Sequence, residues 1–214
     1  MAIDHRGAFA LFSLFTAILS LLFVAVTILA PSFTPTQQLS SFTNNKAIYY
    51  VTALVALVWS ALALPFVAGL GAVLREKSGG LALAATILSG GGILLLGFAR
   101  YTYVGALIAI EAASTVAPSA ADGAYQASIW ANLQFYLADP PLCAWGLGQV
   151  LFGWLAWRSH VLPNWLAIVG IIGGSACLIA SVDAPKDAVL LALLSMTSFA
   201  VWGFTTGAML VRHR

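Results

Sequence analysis

Two charged residues stand inside long apolar stretches, and they set the chemistry open to this chain. Arg100 lies in the stretch 80–113 and Asp139 in the stretch 126–157. A charge at the bilayer centre costs about 2.5–3.5 kcal/mol on insertion scales, so it pairs, snorkels to the surface or marks a functional path. Counted from the boundary both stretches share, Arg100 is about 20 residues from Gly80 and Asp139 about 19 from Arg158. At 1.5 Å per residue both reach the far edge of the hydrocarbon, about 30 Å away. The two charges are therefore expected to pair at one depth on neighbouring antiparallel helices. The residues around them suggest two uses. Arg100 could hold an anionic head group while Tyr103, Asn132, Tyr136 and Asp139 orient it. Alternatively, Asp139 or Glu111 could act as a general acid on a lipid or isoprenoid.

The spacing places these residues on stripes. Ser89, Gly92, Leu96, Arg100, Tyr103, Leu107 and Glu111 follow one another by three or four residues, as do Ser128, Asn132, Tyr136, Asp139, Cys143, Gly146, Gln149 and Gly153. The second stripe is small or polar throughout, which suits protein or a cavity better than lipid. Pro140-Pro141 removes two backbone donors from that helix and frees the carbonyls preceding it.

Other chemistries find little support. His5, His160 and His213 lie at span boundaries, whereas a bundle-held haem takes axial ligands from inside the bundle. No HxxxH, HExxH or CxxC spacing is present for a metal. Cys143 and Cys177 sit in apolar stretches and read as small packing residues. There is no phosphate-binding loop, no dinucleotide fingerprint in a strand–helix context and no GxSxG elbow. Lys186 is loop-bound and unsuited to a buried Schiff base. No metal and no cofactor is expected.

The elements that must position these residues are helices in a membrane. Of 214 residues, 61% are hydrophobic and 7% charged, and no soluble domain has that balance. A net charge of +2 is too small to suggest nucleic acid. The expected fold is all-α: a single domain over 1–214, built as a six-transmembrane-helix bundle. The six spans are 8–30, 47–74, 80–113, 126–157, 164–182 and 188–211, with a polar loop at 31–46. The third and fourth are longer than a bilayer requires, so they extend beyond the outer face. Arg6, Arg75, Lys77, Arg158, Arg212 and Arg214 fall on one side, against Lys46 and Lys186 on the other. The positive-inside rule then places both termini in the cytoplasm. Glycines 90–92, 146, 148, 173, 174 and 203 all fall near mid-bilayer and form a waist of small residues. Such a waist serves close helix packing, or leaves room for a flat or chain-like apolar ligand.

Two turns carry a resemblance. The run 153–170, GWLAWRSHVLPNWLAIVG, has an aromatic-rich helix ending in Arg-Ser, a Leu-Pro turn, and re-entry with Trp-Leu. The run 75–84 begins Arg-Glu-Lys-Ser-Gly-Gly. Both are similar to turns of a bacterial six-helix integral-membrane family of unknown function. The resemblance implies the six-span layout and a bacterial inner membrane, and no activity. Members of that family carry an Arg and a Glu early in the third helix. Here Ser89–Gly92 occupies that zone, so no role for those charges carries over.

The resulting expectation is a multi-pass inner-membrane protein with an outer-leaflet pocket for a small amphipathic, lipid-like molecule. A membrane enzyme is the first alternative. The second is an accessory subunit whose lipid-facing glycines dock another copy or another membrane protein. Lipids are the expected partners in each case.

Overall fold

In the computed structural model, residues 5–29, 38–76, 78–114, 120–182 and 185–212 are described. Among them every regular element is a helix: α1 (His5–Leu29), α2 (Gln38–Asn44), α3 (Lys46–Leu74), α4 (Gly79–Ser114), α5 (Ala120–Ser159), α6 (Asn164–Ala180) and α7 (Pro185–Arg212). Apolar runs of this length fold as helices in lipid because every N–H and C=O must find a partner within its own segment. Four spans within them, Gly7–Val26, Lys46–Leu74, Gly79–Ala112 and Leu190–Met209, are long and apolar enough to cross a membrane. Helix α6 is apolar and shorter, at 17 residues.

The prolines do not end their helices. Pro65 lies inside α3, and Pro140 and Pro141 lie inside α5. What ends α5 is His160, in the left-handed region at φ 53°. Its N–H donates to the Ala156 carbonyl at 3.2 Å, closing the last turn. Pro163 then opens α6 in a conformation already suited to a helix start.

The six long helices close into a ring in the order α1–α3–α4–α5–α6–α7, with α7 returning to α1. Aromatic side chains fill its centre. Trp59 of α3 meets Trp145 of α5 edge-on at 5.5 Å, and Phe199 of α7 meets Trp59, Phe66 and Trp145 at 5.3–6.2 Å. Edge-to-face pairs at such spacings add to plain area burial. Phe23 and Phe9 of α1 stack on Trp59 and Phe66 from outside that group.

The seams between helices are made by glycines. A Cβ on Gly92 would meet the Pro141 carbonyl and the Trp145 N at 2.6 Å, so α4 and α5 touch backbone to backbone there. Gly146 and Gly174 face each other across the α5–α6 seam, and Gly153 faces the Ala167 carbonyl. Gly203 faces the Ser13 carbonyl across the α1–α7 seam. Gly71, Gly97, Gly148 and Gly173 each lie against a hydroxyl of the next helix: Thr86, Ser60, Ser89 and Ser198. Two of those hydroxyls also bond across the seam, Ser60 Oγ to the Ile93 carbonyl at 3.0 Å and Ser198 Oγ to that of Val169 at 2.8 Å. Elsewhere Trp59 Nε1 donates to Ser20 Oγ, and Trp202 Nε1 to the Leu166 carbonyl, each at 2.7 Å. Small residues and such bonds drive helix association in lipid, where hydrophobicity gives no preference for protein.

Most glycines of the expected waist thus serve close packing. The cavity between α5, α6 and α7, lined by Gln149, Phe152, Gly170, Ser198, Phe199 and Trp202, holds about 10 Å³. That is the scale of one water molecule and excludes a chain-like ligand there. Gly91 is the exception among the triplet. It is exposed with nothing near it, on an outward stripe with Leu83, Ile87, Leu94 and Phe98.

Candidate functional site

The end of the bundle opposite the α5–α6 turn carries the residues singled out for chemistry. There α2 lies over α3, α4 and α5. Phe42 of α2 is fully buried and meets Tyr49 edge-on at 5.4 Å. With Ala53, Tyr103, Val104, Leu107 and Ile110 they form a second core, separate from the central one. Ser41 Oγ and Tyr49 Oη lie at hydrogen-bond distance, 3.1 Å. Lys46, at the start of α3, pairs with Glu111, near the end of α4, at 2.7 Å. Glu111 is therefore an ion-pair partner rather than a free acid.

Arg100 borders this second core. Its guanidinium lies 5.6 Å from the centre of the Tyr103 ring, a cation–π contact. The side chain is half-buried, and its Nε is buried with no hydrogen-bond partner among the described residues. No carboxylate pairs with it: among the described residues the ion pair is Lys46–Glu111.

The expected Arg100–Asp139 ion pair does not form, and the packing gives the reason. Asp139 shares its stripe with Cys143, Gly146 and Gly153. Gly146 and Gly153 pack on α6, against Gly174 and Ala167. The residues of α5 that meet α4 are Pro141, Trp145 and Gly148, on another face. The register differs as well. Gly92 meets the 141–145 turn and Ser89 meets Gly148. Extended outward, Asp139 falls about one turn, roughly 5 Å, short of the Arg100 level. Asp139 itself is half-buried.

Of the five residues proposed to bind a head group, the structure brings Arg100 and Tyr103 together and turns the Asp139 stripe toward α6. The side chains of Asn132 and Tyr136 lie outside the described residues. Tyr49, Ser41 and Phe42 join Arg100 and Tyr103 in space although nothing in their spacing announced it. Their one sequence signal is the concentration of aromatics at 42–50, just before the second apolar run.

Deep in the ring, Ser89 Oγ, Trp145 Nε1 and Gln149 Nε2 are buried without partners among the described residues. Gln149 Oε1 accepts from Ser195 Oγ at 3.2 Å. Cys177 is buried and its thiol donates to the Leu142 carbonyl, while Cys143 is half-buried, and both are free thiols. No group of three or more His, Cys, Asp or Glu side chains gathers among the described residues.

Apolar helices of spanning length, glycine seams and an end-on polar cluster define a polytopic helical membrane protein. The chain belongs to the DUF4386 family, a domain of unknown function, matched over residues 6–212. No curated protein and no solved structure matches it.

Proposed function

We propose that this is a bacterial inner-membrane protein crossing the bilayer six times, with both termini cytoplasmic. In this reading it holds a small anionic amphiphile at the outer end of the ring, where Arg100, Tyr103, Tyr49 and the helix α2 meet. One observation carries the reading: among the described residues the Arg100 guanidinium has no carboxylate, and its Nε is buried without a hydrogen-bond partner. A cation so placed needs a counter-charge from elsewhere, and at a membrane boundary that is a lipid-like carboxylate or phosphate. Tyr103 holds the guanidinium from one side, which leaves its N–H edges for the ligand. Asn132 and Tyr136 belong to the same end by chain position and complete the polar set. Asp139, on the stripe whose glycines Gly146 and Gly153 meet α6, keeps a lesser part in orienting the head group.

The enzyme reading draws less support. Of its two acids, Glu111 is paired with Lys46, and Asp139 stands on a face apart from Arg100. The accessory-subunit reading rests on the exposed glycines Gly91 and Gly105, which have nothing within reach of a Cβ. The test is native mass spectrometry of the purified chain. Wild type should retain an anionic amphiphile, and Arg100→Gln should lose it while still folding. Equal retention by both proteins would end the assignment.

A further inference from the structure

The opposite end of the ring presents a second cation with no carboxylate among the described residues, and it is independent of the Arg100 site. Arg158 occupies the last turn of α5. It is exposed, and its guanidinium lies 5.9 Å from the centre of the Trp154 ring, one helical turn earlier. No carboxylate pairs with it among the described residues. Three large rings crowd this one turn. Trp154 and Trp157 on α5 and Trp165 on α6 are 44–50% exposed, as is Val161 between them. The turn itself is built to stay fixed. His160 adopts the left-handed conformation and bonds through Nδ1 to Asn164 Oδ1 at 3.3 Å. Val161 N–H donates to Ser159 Oγ, and Leu162 is buried beneath.

We propose that the α5–α6 turn is a binding site for an anionic phospholipid. The chemistry of the occupant follows from the geometry. The tryptophans are amphipathic rings that settle at the depth of head groups. The guanidinium, stacked on one of them, offers its planar N–H fork to a phosphate bidentately. The position at a helix C-terminus favours the cation and leaves it in place when no lipid is bound. The lipid chains lie along the outward face of α5, where Leu147 and Trp154 are exposed. A protein partner is a poorer fit, because an apolar and basic rim at this depth already faces lipid.

The full chain is reconstituted in nanodiscs of equimolar phosphatidylglycerol and phosphatidylcholine, and the lipids that leave with it are read by native mass spectrometry. Wild type should carry phosphatidylglycerol in excess. Arg158→Gln should cut that enrichment about fivefold, the scale of one surface cation meeting an anionic head group. Trp154→Leu should reduce it by less, since the charge remains. Should Arg158→Gln not fold, Trp154→Leu is read in its place. Arg75→Gln, which removes an exposed cation from the α3–α4 turn on the same face, should leave this enrichment unchanged, which separates a built site from general surface charge. Enrichment unaltered by Arg158→Gln would overturn the proposal. So would an equal loss with Arg75→Gln, or enrichment competed away by excess inorganic phosphate.

Discussion

A single methyl group separates two adjacent glycines of α4. Gly92 meets α5 so closely that any Cβ would stand 2.6 Å from backbone atoms, which cannot move aside as a flexible side chain can. Gly91 points away with nothing near it. Leucine at 92 should therefore destabilise the protein by about 1–3 kcal/mol, the usual cost of overpacking. Leucine at 91 should leave stability within about 0.5 kcal/mol. Thermal unfolding of both variants in one detergent checks this, and equal losses would contradict the helix rotation. Depth placed the glycine triplet in a waist of small residues that suited either close packing or an apolar ligand. Which of its members packs was not, because three consecutive residues span most of a helical turn and the sequence does not name the neighbour.

The same limit explains the fate of the charge pair between elements. Six of the seven helices are legible in the sequence to within a few residues at most ends, because a long apolar run in lipid has one outcome. Helix α2 is not legible. Gln38–Asn44 is short and polar, and reads as a loop. It is held by Phe42 buried against Tyr49, a contact no local pattern reveals. Periodicity places Asp139 on one stripe with Gly146 and Gly153. It cannot say that this stripe meets α6 and not α4, since a period fixes a face and leaves the partner open. The energetic consequence is specific. A paired buried charge costs more to orphan than to remove together with its partner. For two charges on different faces and levels, losses add. In a double-mutant cycle, Arg100→Gln and Asp139→Asn should combine additively within about 0.5 kcal/mol. Coupling well above that would mean the two charges meet after all.

At the scale of the whole molecule, the ring closes because α7 returns to α1, and this decides how the termini lie. Helices that alternate in direction around a closed ring of six bring the first and last ends to one face. That face is shared with the α3–α4 and α5–α6 turns, where Arg75 and Arg158 are exposed. The opposite face carries Lys46, paired with Glu111, so its positive charge is partly cancelled. Basic residues near short loops hold them on the cytoplasmic side during insertion, while acidic residues contribute little. The expected orientation follows from that asymmetry and from no packing detail. It is tested with single cysteines in a background where Cys143 and Cys177 are replaced by serine. Tyr125 is 68% exposed on one side and His160 is exposed on the other. In intact cells a membrane-impermeant maleimide should label Tyr125→Cys and spare His160→Cys until the membrane is opened. The reverse pattern would invert the protein in the membrane, and with it the leaflet assigned to both Arg100 and Arg158. Labelling of both sites in intact cells would mean that α5, the one helix between them, does not carry the chain across the membrane.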